Sequence, residues 1–155
     1  MQKNPDIMLL QEVWEIPELI LNKYNIIQKR PLTKYNTPQR FQTAVLSKYK
    51  IDWEIEFVST YDWVNKEIKH FAPNLLWCKI LLEDKTVLHA VSVYSPAWPI
   101  DKNRLENIDT GWVRIGSDIW VTDILWDVLN NYKIWWHDVM IVSWDFNAAV
   151  TLDPE

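Results

Sequence analysis

The stretch that decides the fold is residues 75–94, which read LLWCKILLEDKTVLHAVSVY. Two apolar runs rich in Val, Leu and Ile, residues 75–82 and 86–94, flank the short polar link Glu83-Asp84-Lys85. This arrangement predicts a β-hairpin, because a short polar turn between two such runs joins neighbouring antiparallel strands. We therefore expect a sheet core built around this hairpin.

Further strand patterns lie on both sides of the hairpin. Residues 6–13 form a short, mainly apolar run that predicts a buried strand, and residues 139–142 predict another that ends at Asp145. Residues 41–47 and 51–59 predict two neighbouring strands, and the second alternates apolar with acidic residues as a strand with one solvated face does.

Two segments have apolar residues at helical spacing. Residues 16–24 predict a short helix, with Pro17 near its start, and residues 119–132 predict an amphipathic helix. Several strands with two clear helices predict an α+β fold, with a mainly antiparallel sheet core and helices outside it. We expect one domain over residues 1–155, since no repeat or flexible linker divides the chain.

The composition is that of a globular domain, with 48% hydrophobic and 24% charged residues. With a formal net charge of −5, no polybasic face can be assumed. A local patch of Lys29, Arg30, Lys34 and Arg40 could still contact phosphates, and the alternative is a solvated loop. The single cysteine, Cys78, excludes an internal disulfide and suits a reducing, cytoplasmic location. Apolar runs fall far short of the ~20 residues of a membrane helix, so we expect no membrane span. No obligate protein partner is evident.

Glu12 is the first residue that could carry chemistry. Gln11-Glu12 follows an apolar run, and a carboxylate at the end of a buried strand projects from a rigid edge, as a metal ligand must. The alternative is a solvated residue that simply follows the strand.

Asp145 and Asn147 are the second candidates. They lie two residues apart after an apolar run, so in an extended segment both side chains point to one face and Phe146 to the other. A carboxylate and an amide there could orient water and hold a phosphoryl oxygen. The alternative is an Asx turn that closes the strand.

Tyr94 is the third candidate. It ends the second run of the hairpin just before Ser95-Pro96, where its phenol could donate a hydrogen bond to an anionic oxygen. The alternative is a half-buried packing residue.

Together these motifs resemble the endonuclease/exonuclease/phosphatase superfamily, the deoxyribonuclease-I-like metal-dependent phosphodiesterases. Residues 5–13 (PDIMLLQEV) resemble its strand ending in a Gln-Glu metal ligand, and residues 43–51 (TAVLSKYKI) resemble another core strand. Residues 87–96 resemble the strand leading to a Tyr or His, and residues 139–147 the strand ending in Gly-Asp-Phe-Asn. The resemblance implies a four-layer α/β/β/α sandwich.

The resemblance also implies an activity and its residues. Glu12 would bind Mg²⁺ or Mn²⁺, Asp145 would orient or deprotonate the attacking water, Asn147 would hold a phosphate oxygen or Asp145, and Tyr94 would hydrogen-bond the developing negative charge. The reaction would be in-line hydrolysis of a phosphodiester, and nucleic acid is the favoured substrate. A phosphatase or a phospholipid phosphodiesterase of the same superfamily is the alternative, because the core motifs do not choose a substrate.

Two departures from the family pattern lead to a further expectation. Family members carry an Asn-bearing strand before the Gln-Glu strand and a terminal Asp-His pair, whereas five residues precede Asp6 and the three His residues all precede Asp145. The sequence therefore resembles an incomplete domain, which we expect to be inactive or unstable alone, with open sheet edges. An unrelated α+β binding domain with chance matches is the remaining alternative.

The counts of tryptophan and glycine are unusual, at 11 and 2. Trp144 stands where the family motif has Gly, and Trp98, Trp112 and Trp135-Trp136 fall in predicted loops. We hypothesise that many of these codons are UGA, which encodes Gly in some bacterial lineages. If Trp144 is genuine, its indole beside Asp145 could block the substrate.

Overall fold

The computed structural model describes residues 4–113 and 118–145, which form an α+β fold. Short 3₁₀ helices occur at Ala72–Asn74, Lys102–Leu105 and Gly111–Val113. The strands and α-helices, in chain order, are β1 (Ile7–Val13), α1 (Glu18–Leu21), β2 (Asn25–Lys29), β3 (Gln42–Ser47), β4 (Ile51–Glu54), α2 (Asp62–Phe71), β5 (Leu75–Leu81), β6 (Val87–Tyr94), α3 (Val121–Asn131) and β7 (Val139–Asp145).

The described strands form two sheets. One sheet has the order β1-β3-β2 and is antiparallel, and the other has the order β4-β5-β6-β7. The predicted hairpin is confirmed, since β5 and β6 pair antiparallel from Leu75 opposite Val93 to Leu81 opposite Val87. β7 pairs with β6 in parallel, which places the carboxyl ends of these two strands at the same edge.

The four-stranded sheet is covered on both faces, which explains why its central strands are apolar almost throughout. Alternate residues such as Leu76 and Ala90 pack with Val45 of β3 in a core between the two sheets. The intervening residues, including Trp77 and Val91, pack against α2 and α3 on the other face. Cys78 lies in the core between the sheets, where burial raises the pKa of its thiol to about 12, so the thiol is unreactive at neutral pH.

The prediction that residues 41–47 and 51–59 are neighbouring strands is wrong. β3 belongs to the three-stranded sheet and β4 to the four-stranded sheet. β4 also ends at Glu54, and its pairing with β5 shifts register between Ile51 and Glu54. Ile51 therefore packs in the core between the sheets, whereas Ile55 packs on the helix side. The sequence alternation continues through this irregularity, although the chain has changed faces.

Other elements differ from the expectation in number and length. β2 and the ten-residue helix α2 were not predicted, and the helix expected within residues 16–24 is a single turn, α1. The amphipathic helix within residues 119–132 is confirmed as α3, with Ile124 and Leu125 fully buried. None of the helices in the described ranges is long and apolar enough to cross a bilayer.

The tryptophans differ widely in environment. Trp77 is fully buried, whereas the exposed group consists of Trp14, Trp112, Trp126, Trp135 and Trp136. Positive φ, the backbone conformation that favours glycine, occurs among the described residues at Glu12, Asn36, Lys85, Asn107 and Gly111. No described tryptophan adopts it, so the structure shows no backbone requirement for glycine at these positions, and the codons themselves remain the test of the UGA hypothesis.

A buried carboxylate ties the loop after β4 to α3. The Ser59 hydroxyl donates a short hydrogen bond to Asp127 Oδ2, and Asn131 Nδ2 donates to Asp127 Oδ1 at 3.1 Å, with Asp127 fully buried. Because Ser59→Ala would leave the buried carboxylate without one donor, we expect the free energy of unfolding to fall by about 1–3 kcal/mol. Urea unfolding of the variant and the wild type measures this difference in free energy. Thr60→Ala, which removes the neighbouring exposed hydroxyl, should change stability little, and equal losses would contradict the role of Asp127.

Candidate active site

The candidate site lies at one edge of the two sheets, where β1, β6 and β7 end. Tyr94 and Asp145 are the last residues of β6 and β7 and lie opposite each other in the parallel pairing. The Ser95 backbone N–H donates to the Asp145 carbonyl at 3.3 Å just beyond them. Glu12 lies near the end of β1, which belongs to the other sheet and contacts β6 and β7 through the Gln11 side chain.

The Gln11 side chain joins β1 to the other sheet. Its Nε2 lies 2.8 Å from Ser92 Oγ, 3.1 Å from Ser143 Oγ and 3.4 Å from the Ser143 carbonyl. Ser92 and Ser143 are paired residues of β6 and β7, two positions before Tyr94 and Asp145. The carboxamide therefore fixes the end of β1 against the two strands that carry the other candidate residues.

Glu12 occupies a strained backbone conformation. Its φ is 56°, and the pairing of β1 with β3 shifts register between Leu10 and Val13. A non-glycine residue in this region costs about 1–2 kcal/mol, and such strain concentrates at functional sites. The irregularity interrupts the strand's alternation just where the exposed Glu12 carboxylate follows Gln11.

Tyr94 packs against an aromatic ring and lies near two acidic side chains. Its ring meets the Phe41 ring edge-on with centroids 4.8 Å apart, and Asn74 Nδ2 donates to its carbonyl at 3.2 Å. Burial raises the pKa of Tyr94, and the negative charges of Glu12 and Asp145 raise it further. The phenol therefore stays protonated at neutral pH and can donate a hydrogen bond.

The raised pKa of Tyr94 predicts a dependence of stability on alkaline pH. The folded state holds the phenolic proton more tightly than the unfolded chain, where tyrosine ionises near pH ~10. Its stabilising contribution is complete below that pH and is lost as pH rises through the folded-state pKa. Burial also raises the pKa of Tyr132, so phenolate absorbance should show two late titrations, and Tyr94→Phe should remove one of them. Tyr35 is exposed, so the control Tyr35→Phe should keep the late titration assigned to Tyr94. Loss of that titration in Tyr35→Phe would contradict the assignment.

The two carboxylates suit a hard divalent cation. Mg²⁺ is usually held by one or two carboxylates and keeps several waters, and Glu12 and Asp145 are both close enough to Tyr94 to raise its pKa. Within residues 4–113 and 118–145, no group of three or more His, Cys, Asp or Glu side chains is arranged to hold a metal ion. The fit to Mg²⁺ or Mn²⁺ thus rests on a pair of carboxylates completed by water.

Trp144 and Asn147 flank Asp145 in the sequence. Asn147 lies outside the described residues, so its predicted role stays a prediction. Trp144 alternates with Ser143 and Asp145 along β7 and packs in the helix-side core. Its indole is therefore directed away from the face on which Ser143 meets Gln11, so the steric block expected from this residue is not observed.

The three histidines lie at separate places in the fold. His89 is buried in β6, five residues before Tyr94, where Trp77 Nε1 donates to its Nδ1 at 3.3 Å and its Nε2 lies 3.2 Å from Asp138 Oδ2. Five strand residues span about 16 Å, so His89 does not reach the site. His70 is at the end of α2, and His137 precedes β7.

Sequence reasoning missed the residues that assemble the site, namely Gln11 as a link between sheets, Ser92 and Ser143. A usable signal exists for the serines: each interrupts an apolar strand two residues before a candidate residue. A polar side chain at a buried strand position requires a hydrogen-bond partner. That requirement could have indicated a contact here, although the sequence does not name Gln11 as its donor.

Comparisons with known proteins add nothing to this geometry, since no family model, no curated protein and no solved structure matches the chain.

Proposed function

We propose that the chain hydrolyses phosphodiester bonds with the help of Mg²⁺ or Mn²⁺, and that its substrate is nucleic acid. The proposal is supported by one observation above all: Glu12, Tyr94 and Asp145, separately singled out in the sequence, lie together at one sheet edge. We also propose that the fold is the deoxyribonuclease-I-like α/β/β/α sandwich. The two facing sheets, one of which is covered by helices on its outer face, are compatible with it.

Each side chain has a distinct part in this reaction. Glu12 would hold the metal ion, which when bound would offset negative charge on the phosphate. Asp145 would orient the attacking water and accept its proton. Tyr94 would donate its phenolic proton in a hydrogen bond to a phosphate oxygen as negative charge develops there, and its raised pKa keeps that donor available.

The decisive experiment measures metal binding and cleavage on the same protein. Mn²⁺ binding is followed by calorimetry, and Mg²⁺-dependent cleavage is followed on single-stranded DNA, RNA and a phosphoinositide. We expect Glu12→Gln to weaken Mn²⁺ binding at least about tenfold, because an amide lacks the charge that attracts the cation. Glu15→Gln changes an exposed carboxylate three residues further on and should bind like the wild type. Equal binding by both variants would contradict the role of Glu12.

The second candidate is the inactive domain expected from the sequence, which would bind the metal ion and the phosphoester without turnover. It is favoured by the position of His89, whose imidazole is engaged with Trp77 and Asp138 away from the candidate site. Metal binding that depends on Glu12, with no cleavage of any of the three substrates, would establish it. Cleavage of the phosphoinositide alone would instead move the substrate from nucleic acid to lipid.

A further inference from the structure

A cavity of about 390 Å³ opens beside the candidate site, and its lining includes Lys34, His70, Asn74, Trp98 and Arg104. Three chain segments form it: the loop before β3, the residues from the end of α2 to the start of β5, and the segment that follows β6. All three lie at the edge where Tyr94 ends β6, because β3 and β5 begin where their antiparallel neighbours β1 and β6 end.

The cavity is joined directly to the candidate site through Asn74. This buried residue lines the cavity and donates from Nδ2 to the Tyr94 carbonyl at 3.2 Å. The volume falls within the range of small-molecule sites, about 300–1,000 Å³. A group occupying the cavity would therefore be a neighbour of whatever Tyr94 contacts.

Two cationic side chains of different character line the cavity. Arg104 forms an ion pair with the buried Glu67, with Nη2 and Oε2 2.8 Å apart, which holds the guanidinium in place while leaving it further N–H donors. Lys34 is exposed on the loop before β3. Lys29, a second basic residue near this loop, forms an ion pair with Glu54 and does not line the cavity. The Lys34 ammonium is in none of the ion pairs recorded for the described residues and lies 4.9 Å from the centroid of the Tyr35 ring, so its positive charge is available to an anion in the cavity.

The remaining lining groups suit a flat, polar ring. In the chain as written, Trp98 offers a half-buried indole, and aromatic faces stack on nucleobases. A UGA codon for glycine at this position would remove that face. Asp101 contributes a carboxylate that also accepts from the Asn103 backbone N–H at 2.9 Å. His70 presents an imidazole whose pKa is lowered by burial and by Arg104, so it is neutral at pH 7. The two cations match a phosphate and the aromatic face matches a heterocycle, while the Asp101 carboxylate could accept a hydrogen bond from an N–H of that ring.

We propose that this cavity is a subsite for one nucleotide unit, with the phosphate held by Lys34 and Arg104 and the base stacked on Trp98. The subsite rests on the proposed function in one respect, that the unit it holds is the neighbour of the phosphoester at Glu12, Tyr94 and Asp145. Binding of the unit itself needs neither the metal ion nor turnover.

Binding is tested with 5′-AMP, inorganic phosphate and adenosine by calorimetry in the presence of a chelator. We expect AMP to bind more tightly than either of its parts. Lys34→Ala and Trp98→Leu should each weaken AMP about tenfold, the effect of losing one charge-assisted contact or one stacked base. Matched controls are Lys102→Ala, a lysine outside the cavity paired with Asp118, and Trp135→Leu, an exposed indole; both should bind AMP as the wild type does.

Every outcome bears on the proposal. Lys34 is exposed, so Lys34→Ala should fold and gives an answer even where Trp98→Leu does not. Failure of AMP to bind, binding that Lys34→Ala leaves unchanged, or inorganic phosphate bound as tightly as AMP would overturn the subsite. AMP binding without any Mg²⁺-dependent cleavage would keep the subsite and remove the proposed function. Cleavage that Lys34→Ala leaves intact, together with no binding of AMP, would keep the proposed function and remove the subsite.

Discussion

Asp145→Asn is expected to lower kcat for Mg²⁺-dependent phosphodiester cleavage by about 10²–10⁴-fold, the usual contribution of a positioned general base. The amide keeps the shape of the side chain at the end of β7, next to Tyr94, but it cannot accept a proton from water. KM should change much less than kcat, because the substrate would still meet Tyr94 and the neighbouring cavity. A fall in kcat with little change in KM separates loss of chemistry from loss of binding.

The measurement is steady-state cleavage over a range of Mg²⁺ concentrations. Glu83→Gln is the control, since this exposed carboxylate lies in the turn between β5 and β6, at the opposite end of the sheet. Thermal unfolding of both variants shows that the fold is retained. An Asp145→Asn protein that cleaves as fast as the wild type would remove Asp145 from the chemistry.

Trp77→Ala is expected to reduce the free energy of unfolding by about 3–5 kcal/mol, the range for truncating a large buried aromatic residue. Trp77 is fully buried in β5, with its ring centroid 4.3 Å from that of Tyr132 and 5.3 Å from that of Phe57. Its Nε1 also donates to His89 Nδ1. The substitution therefore leaves a cavity and a buried imidazole nitrogen without its donor, and the two costs combine.

Trp135→Ala provides the matched comparison, because the Trp135 side chain is 75% exposed. We expect its unfolding free energy to stay within about 0.5 kcal/mol of the wild type. Denaturant unfolding of the two variants under identical conditions gives the difference. Similar losses for both would mean that Trp77 does not pack as described.

Periodicity identified the elements whose faces stay constant along their length. β3, β5, β6 and α3 have this property, and each was expected close to its observed position. β1 and β7 were also expected, but β1 changes faces at its register shift, and β7, which was expected to be buried, exposes Val139, Ile141 and Val142. α2 was missed although Val64 and Ile68 occupy its buried face, since its N-cap is Tyr61, which provides no side-chain cap. The assignment of β3 and β4 to one sheet failed because sheet membership depends on where the chain turns between layers, and local alternation carries no information on that.

The positions of the candidate residues could be predicted from the sequence, and the contacts that bring them together could not. Glu12, Tyr94 and Asp145 stand at strand ends that a pattern of apolar runs reveals. Gln11 bonds to serines on two strands of the other sheet, more than 80 residues away in sequence. Such a contact arises from packing of the two sheets, and nothing in the local sequence around Gln11 specifies its partners.

The parallel pairing of β6 with β7 also has a kinetic consequence. The chain must run through residues 95–138, including α3, before the two strands can lie side by side. Contacts between such distant segments form late and slow the folding of a domain. Glu12 and Asp145 come to the same ends of the two sheets only when this crossover has closed, so the cation proposed for this site would bind the native state alone. Each increase in Mg²⁺ concentration would then shift the folding equilibrium by mass action, and the midpoint of unfolding would report on the site's occupancy.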